Sequence, residues 1–341
     1  MELASKLIRR LLYLIISLIS LLLLVFVGLY NYTPKEYNTT DELKVLVEWD
    51  PDLLILNNPE VSSQIKKGYL LVSESSKFMG PGAQNTHNQF SGNNLSCTNC
   101  HLNGGTQTGS ASWIGIRKRF PQYGGRADKI GNLEERINGC MERSMNGKKL
   151  PENSAQMKAI LAYMTWLSSD FPKINEIDFE GYPSIKIPDI AVNLDQGKFI
   201  YQKECALCHG IDGMGIRYSN SEKGYQYPPL WGEDSYNNGA GMHRVLTAAA
   251  FIKSNMPYLQ AKWDSPKLTD EEAFHVAGYI NSFSRPIKKN TEFDYPDKKR
   301  KPVSTPYGPW LDPFSAEQHK FGPFPPIISY YKTNFNLVKN K

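Results

Sequence analysis

The sequence predicts a mainly α-helical chain made of two similar domains, with an apolar helix before them and a proline-rich segment after them. The pair of domains is predicted by the pattern C-x-x-C-H, which occurs at residues 97–101 and again at residues 205–209, each time followed by a predicted helix. An apolar run near the N-terminus predicts the leading helix. With 341 residues, the chain is long enough for two domains with hydrophobic cores.

The N-terminal segment predicts a membrane-spanning helix. Lys6, Arg9 and Arg10 precede an apolar run at residues 11–30, which has about the ~20 residues needed to cross a bilayer. These cations predict that the rest of the chain is exported, to the periplasmic side of the inner membrane in a bacterium. No small-x-small cleavage site follows the run, so we favour an uncleaved anchor over a cleaved signal peptide that releases a soluble periplasmic form.

The charge balance argues against a nucleic-acid partner. The net charge is only +5, and no basic arm or alternation of aromatic and basic residues is present. The basic run at residues 298–301 is interpreted as a solvated surface patch, with docking to lipid head groups or an acidic partner as the alternative.

Four of the five cysteines form the two motifs "CTNCH" and "CALCH", which have the attachment pattern of haem c. Two thiols add to the two vinyl groups of one porphyrin, and the histidine that follows ligates the iron. A zinc ribbon needs its cysteine pairs closer together, and neither a thioredoxin-like site nor two local disulfides would explain two histidines. We therefore predict two covalently bound haem c groups, with His101 and His209 as iron ligands.

Each motif lies in a similar three-part arrangement. Before the second motif comes a short helix containing Gly197, and after it come the prolyl-aromatic turn "YPPLWG" and a helix with a capping box of Thr269 and Glu272. This arrangement resembles the class I cytochrome c fold. The first half repeats it with an entry helix in "SSQIKKGYLLVSES" and a closing helix that starts near Asn153.

These observations divide the chain into five parts. They are the N-terminal region and anchor (1–30), the first cytochrome c-like domain (31–172), a linker (173–189), the second such domain (190–286) and a C-terminal extension (287–341). The segment from Pro286 onward holds nine of the 22 prolines, so we expect it to be irregular, without long helices. Its aromatic residues leave two alternatives open, a segment that wraps back over the domains and a mobile extension.

A haem iron needs a second axial ligand. In the second domain Met256, followed by Pro257, is placed as in many His/Met cytochromes, with ordinary core packing as the alternative. Lys253, one helical turn earlier, could substitute for it. The first domain has no such Met-Pro pair after its motif.

The fifth cysteine, Cys140 in "ERINGCMERSMNGK", has no partner cysteine. Asn132 and Glu135 can cap a helix here, and Gly147 can end it. Two rows on this helix have four-residue spacing: an apolar row of Leu133, Ile137, Met141 and Met145, and a polar row of Arg136, Cys140 and Ser144. A thiol beside a cation can exist as a thiolate, so we favour iron ligation or catalysis over a structural cysteine or an intermolecular disulfide.

Taken together, the two motifs, the Cys140 segment, the stretches "GPGAQNTHNQFSGNNLSCTNCH" and "FPQYGGRADKIGNLEERINGC", and "NMP" at residues 255–257 resemble the thiosulfate dehydrogenase family. These are dihaem cytochromes that couple two thiosulfates into tetrathionate. The reverse reaction, reduction of tetrathionate, stays open as the physiological direction. The resemblance covers residues 53–286.

The resemblance implies a role for each site residue. Haem 1, the active site, would be attached to Cys97 and Cys100 with His101 and Cys140 as axial ligands; haem 2 would be attached to Cys205 and Cys208 with His209 and Met256, and Lys253 or Asn255 as alternates. It also implies that Arg126, Arg136 and Ser144 line the substrate pocket, with Cys140 catalytic. An external redox partner, such as a cytochrome c or a membrane electron carrier, would take the electrons.

Two other functions remain open at this point. One is the haem subunit of a multienzyme thiosulfate-oxidising complex, which also ligates haem through cysteine. The other is a membrane-anchored dihaem electron carrier without its own substrate, for which His/Met ligation at both haems is usual.

Overall fold

The computed structural model describes residues 2–30, 50–169 and 181–339, and the chain divides into two units, Met1–Asp50 and Pro51–Lys341. The first unit contains one long helix, α1. Within it, Arg9–Val27 is long and apolar enough to cross a membrane, a test that a signal sequence also passes. Residues 31–49, which follow the predicted anchor, and residues 173–180 of the predicted linker lie outside the described residues.

The described residues are mainly helical. The α-helices are α1 (Glu2–Tyr30), α2 (Ser63–Ser73), α3 (Ser75–Met79), α4 (Leu102–Gly105), α5 (Leu133–Met141), α6 (Ala155–Ser169), α7 (Leu194–Glu204), α8 (Ala206–His209), α9 (Val245–Asn255), α10 (Asp270–Ser282), α11 (Ala316–Phe321) and α12 (Pro325–Phe335). The 3₁₀ turns are Thr86–Asn88, Cys97–Asn99, Ile116–Arg119, Ser221–Lys223, Gly241–His243, Thr291–Phe293 and Lys298–Arg300, and Asp52–Leu56 is a π-helix. Strands β1 (Gln122–Gly124) and β2 (Lys129–Gly131) form one antiparallel hairpin, and β3 (Ile216–Arg217) and β4 (Tyr225–Tyr227) form another.

The first domain is built on the crossing of α2 and α6. Helix α2 starts at the cap Ser62, whose hydroxyl accepts a hydrogen bond from the Ile65 N–H. The helices cross closely at Gly68, where an added Cβ would lie 2.0 Å from the Ala159 carbonyl oxygen. Because only glycine allows this approach, the entry and closing helices predicted from the sequence can pack backbone against backbone.

The second domain repeats the crossing with α7 and α10. An added Cβ at Gly197 would lie 2.3 Å from the His275 carbonyl oxygen. The predicted capping box is present, since Thr269 accepts from the Glu272 N–H and Glu272 accepts in return. Gly278 of α10 faces Val192, so it does not lie at the crossing with α7. Gly197 is therefore the contact point that corresponds to Gly68.

The C-terminal extension is more helical than its proline content predicts. The expectation of an irregular segment is wrong over Pro325–Phe335, which form α12. Two prolines occupy its first helical positions, where a missing N–H costs no hydrogen bond. Four side chains of the extension share a buried hydrophobic cluster with α9 and α10: Val303, Phe324, Ile327 and Tyr331. The segment therefore wraps back over the second domain.

Hydrogen bonds join the two domains beside α5. The buried side chain of Asn93 donates to the carbonyl oxygens of Ser144, at 2.9 Å, and Ser235, at 3.1 Å. The Asn237 side chain donates to the Glu142 carbonyl oxygen at 2.9 Å. These bonds fix the turn after α5, the segment that carries Ser144, against the second domain.

Candidate active site

A cavity of about 270 Å³, cavity 1, lies beside the first C-x-x-C-H motif. Its polar and sulfur-bearing lining residues include Cys97, Cys100, His101, Arg119, Arg136, Cys140, Met141, Ser144 and Met145. Three of the residues assigned to the site from the sequence, Arg136, Cys140 and Ser144, thus line the same cavity as the motif.

The loop after the motif orients His101. Its Nδ1 lies 3.0 Å from the Ala111 carbonyl oxygen, an acceptor only, so Nδ1 carries the proton. The ring packs beside Trp113, with centroids 4.8 Å apart. Trp113 in turn packs so tightly on Gly105, which has φ +87°, that an added Cβ would lie 2.1 Å from the indole. The arrangement leaves Nε2 available as an iron ligand.

Helix α5 presents Cys140 next to a cation. Asn132 and Glu135 form the predicted capping box, but the helix ends at Met141, earlier than the expected end at Gly147. Arg136 lies one turn before Cys140, and its Nη1 donates to Cys140 Sγ at 2.7 Å. Arg136 is exposed and Cys140 is half-buried, so the pair lies at the mouth of the cavity.

The electrostatics of cavity 1 single out Cys140 among its thiols. Burial is the largest influence on this group and opposes ionisation, but the charge of Arg136, the proximity of His101 and the hydrogen bond from Arg136 outweigh it. Together they lower the pKa of Cys140 to about 6. Burial raises the pKa of Cys97 to about 11 and that of Cys100 to about 12. The thiolate form is therefore favoured at Cys140, whereas burial favours the protonated thiols of Cys97 and Cys100 before haem attachment.

Arg126 lies next to the site but does not line cavity 1. Its Nη1 donates to the Gly239 carbonyl oxygen at 2.7 Å and, at 3.3 Å each, to Asp294 Oδ2 and the Tyr307 hydroxyl. Its guanidinium also stands 5.4 Å from the centre of the Tyr295 ring. Residues of the second domain and the C-terminal extension thus fix the position of Arg126, which the family resemblance places in the substrate pocket.

Sequence reasoning missed several charged residues around this site. Arg143 forms a two-pronged ion pair with the buried Asp294, at 2.7 and 2.9 Å. Arg119 lines cavity 1 and donates to the Ser112 carbonyl oxygen at 2.6 Å. Burial lowers the pKa of Arg244, and the charges of Arg126 and Arg136 lower it further. No local motif marks these residues, because folding brings them together from both domains and the extension.

A second cavity of about 350 Å³, cavity 2, lies beside the second motif. Its lining includes Cys205, Cys208, His209, Tyr236, Met242 and Met256, and it shares Leu95 and Cys100 with cavity 1. His209 Nδ1 lies 2.8 Å from the Pro228 carbonyl oxygen, so this ring also keeps Nε2 for a ligand. Burial lowers the pKa of His209, which keeps the imidazole neutral.

The three residues considered as second ligands in this domain lie in different surroundings. Met256 lines cavity 2. Lys253 Nζ is paired with Asp270 Oδ1 at 2.7 Å. The side chain of Asn255 is buried, donates to the Gly109 carbonyl oxygen at 2.8 Å and accepts from Gln107 at 2.9 Å. Of the three, Met256 is the one that faces the cavity.

Both cavities fit haem c by the chemistry of their donors. None of the five cysteines is in a disulfide, so each motif offers two free thiols for thioether bonds. Each cavity also offers a histidine with a free Nε2 and a second sulfur, from Cys140 in cavity 1 and Met256 in cavity 2. Beside cavity 2, the buried Nε of Arg285 has no hydrogen-bond partner among the described residues, which leaves a donor for an anionic group.

Two known family models match different parts of the chain. The model described as "SoxA/TsdA, cytochrome c domain" matches residues 82–172, and the model described as "Cytochrome c" matches residues 194–284. With the two cavities, these matches define a c-type cytochrome with two covalently bound haem c groups.

The particular family follows from the relatives. The thiosulfate dehydrogenase of Psychrobacter arcticus is 37% identical over 72% of this chain and 71% of its own length. That of Stutzerimonas stutzeri is 43% identical over 58% of this chain. The solved thiosulfate dehydrogenase (TsdBA) of Marichromatium purpuratum, in its as-isolated form, aligns over 67% of this chain with 33% identity and a TM-score of 0.58. The chain belongs to the thiosulfate dehydrogenase family.

The extent of the matches differs between relatives. The chain spans 62% of the length of the Stutzerimonas relative and 47% of the Marichromatium chain.

Proposed function

We propose that this protein oxidises thiosulfate to tetrathionate, with Cys140 as the sulfur acceptor. One observation carries the proposal: a thiolate paired with a guanidinium, Cys140 with Arg136, lines the same cavity as the haem-attachment motif. A dianion with a nucleophilic sulfur needs such a combination of a cation and a sulfur partner.

In the first step the outer sulfur of thiosulfate joins Cys140. The Cys140 thiolate and one thiosulfate form a sulfur–sulfur bond, and the pair gives up two electrons. Arg136 neutralises the sulfonate end, which would otherwise be repelled by the thiolate. If Cys140 also ligates the iron of bound haem, its sulfur would have to be released from that ligation before it could form this bond.

In the second step another thiosulfate attacks the adduct. Its outer sulfur bonds to the sulfur attached to Cys140, the Cys140–sulfur bond breaks, and tetrathionate leaves with the thiolate restored. This is exchange of the thiol–disulfide type and needs no further electrons. In reverse the two steps reduce tetrathionate, and the potential of the external partner decides the direction.

Arginines from both domains supply the positive field that gathers the anions. Arg136 is at the thiol, and Arg126 and Arg244 lie near enough for their charges to influence one another. In the described residues near them, Asp294 is the carboxylate that pairs with Arg126 and Arg143. We assign Ser144, which lines cavity 1, as a hydroxyl donor to the sulfonate.

The shared wall of the cavities supports an electron path from the site outward. Leu95 and Cys100 line both cavities, so they separate the two cofactor positions. Bound haem c supplies one-electron acceptors, with the Cys140 side favouring a lower potential than the Met256 side. The final acceptor is an external cytochrome c or a membrane electron carrier.

We assign α1 as the membrane anchor. Its span Arg9–Val27 and the cations before the apolar run favour an exported catalytic part on the periplasmic side of the inner membrane. Retention in the membrane after alkaline extraction of the full chain, and release of a chain beginning at residue 31, would test this assignment.

The test of the activity uses the haem-loaded protein with thiosulfate and an artificial one-electron acceptor. We expect one tetrathionate per two thiosulfates and two electrons, and loss of this product in Cys140→Ala with both haems still attached. Full turnover in that variant would overturn the mechanism. If a redox partner reduces the haems but neither thiosulfate nor tetrathionate is turned over, an electron carrier is favoured. If activity requires a cytochrome subunit and a carrier protein, a multienzyme complex is favoured.

A further inference from the structure

Arg285 is a buried cation whose role the proposed reaction does not explain. It follows α10, is 7% exposed, and its Nη2 donates to the Ile280 carbonyl oxygen at 3.0 Å. Nη1 donates to the Leu230 carbonyl oxygen at 3.4 Å, and the guanidinium lies 4.3 Å from the centre of the Tyr236 ring. Leu230, Tyr236 and Ile280 all line cavity 2, so the guanidinium lies directly against the wall of that cavity.

Among the described residues, no carboxylate neutralises the positive charge of Arg285. Arg285 forms no salt bridge in the part of the chain that the structure describes, and its buried Nε has no hydrogen-bond partner. Burial and then the Arg285 charge lower the pKa of the neighbouring His243 to about 3, so that ring is neutral. Burial lowers the pKa of Lys320, another cation nearby; the Glu317 carboxylate opposes this shift and the charge of Arg285 adds to it. Arg285 therefore has a neutral imidazole and a cation among its neighbours, and it forms no ion pair in the described residues.

A buried guanidinium without an anion is unfavourable, since carbonyl oxygens replace only part of its hydration. A carboxylate that reached Nε from the side of cavity 2 would supply both the missing acceptor and the missing charge. The cofactor of this cavity carries two propionate carboxylates.

We infer that Arg285 binds a propionate of haem 2 through the guanidinium edge that holds Nε, as the counter-ion of that carboxylate. The other edge of the same guanidinium, through Nη2 and the Ile280 carbonyl, holds the end of α10. Arg285 thereby joins the cofactor to the helix that crosses α7. The inference depends on the cofactor content of the domain and not on the oxidation of thiosulfate.

The inference predicts a particular electrostatic effect. A fixed cation beside haem 2 favours its reduced state and keeps the propionate ionised. Arg285→Gln keeps donors for the carbonyl oxygens but removes the charge. At a fixed applied potential we therefore expect the reduced-to-oxidised ratio of haem 2 to fall by roughly tenfold, which is the order expected for the loss of one partly buried charge. The ratio for haem 1 should not change. Arg285→Lys should retain most of the wild-type ratio.

The experiment is a spectroelectrochemical titration of both haems in the haem-loaded protein, repeated across pH. In Arg285→Gln, the pH at which the haem 2 potential changes slope should move upward, because the propionate becomes harder to ionise. The matched control is Arg217→Gln, an exposed arginine of the same domain paired with Asp234 at 2.8 Å, which should change neither quantity. Unchanged haem 2 potential and pH profile in Arg285→Gln, with only a lower unfolding temperature, would overturn the inference and leave Arg285 as a helix cap.

A second measurement uses the unaltered protein, in case Arg285→Gln fails to fold. Infrared redox-difference spectra of protein loaded with haem carrying ¹³C-labelled propionates report the state of each carboxylate. We expect one label-sensitive band of an ionised propionate bound to guanidinium, and a shift of that band in Arg285→Lys. Bands of solvated propionates only, the same in both proteins, would contradict the assignment.

Discussion

The two cavities share one attachment plan and differ in the sulfur side chain that we propose as the second ligand. His101 and His209 each bond a backbone carbonyl through Nδ1, and each follows a pair of free thiols. Cavity 1 then adds Cys140 beside Arg136, whereas cavity 2 adds the uncharged Met256. The comparison shows how a repeated domain can keep its cofactor site and still separate functions: one cavity has a charged sulfur at an exposed mouth, and the other a neutral thioether.

The largest effect should follow removal of the charged sulfur. Cys140→Ala should lower the rate of tetrathionate formation by on the order of 10³-fold or more, because the covalent acceptor is lost. The spectrum of haem 1 should lose its thiolate character while that of haem 2 stays the same. Turnover and electronic absorption of both haems check this prediction. A spectral change at haem 2 instead would contradict the assignment of Cys140 to haem 1 alone.

The second prediction concerns acid stability near cavity 2. Burial, together with the charge of Arg285, lowers the pKa of His243 to about 3, so stability from the neutral ring is complete above pH 6.5 and is lost as the pH falls towards 3. Between pH 7 and pH 4 the loss is about 3 kcal/mol, since each pKa unit corresponds to about 1.4 kcal/mol. His243→Gln should reduce the decrease in unfolding free energy by about this amount. Denaturant unfolding at both pH values checks it, and equal decreases in the two proteins would contradict it.

The third prediction tests the cation of cavity 1. Arg136→Gln should lower kcat/KM for thiosulfate by roughly 50-fold, because a charge-assisted contact to the dianion and to the thiolate is removed. Arg136→Lys should recover part of the loss, since it keeps the charge without the planar fork. The control is Arg117→Gln, an exposed arginine of the same domain that does not line cavity 1. A similar decrease in both glutamine variants would point to overall charge instead of the Arg136–Cys140 pair.

The smallest effect is expected in the extension. Tyr307→Phe removes the hydroxyl that donates to Asp294 Oδ2 at 2.6 Å and accepts from Arg126. Unfolding free energy should decrease by about 1 kcal/mol, the usual size for one hydrogen bond, and KM should rise a few-fold with kcat unchanged. Tyr330→Phe in α12, whose hydroxyl makes no hydrogen bond within the described residues, is the control. An unchanged KM would show that Arg126 does not contribute to substrate binding.

Much of this organisation could be predicted from local patterns. The capping boxes at Asn132 and Thr269 and the helix starts at Ser63 and Leu194 follow from side chains within a few residues of each start. The helix α12 could not be predicted from composition, because proline is unfavourable inside a helix but harmless in its first turn. Its formation also depends on burial against the second domain, which no local pattern reveals.

The sequence by itself determined the chemistry of attachment: two thiols and a histidine at fixed spacing, repeated, and a lone cysteine four residues after an arginine. Those relations are local, since adjacent residues on one turn of helix are necessarily neighbours in space. Only the tertiary structure decided which charged residues surround these motifs. Asp294 meets Arg126 and Arg143 from far along the chain, and Arg285 is buried against cavity 2 without a carboxylate partner in the described ranges. Burial and long-range pairing set these charges, and both exist only once the domains and the extension have packed together.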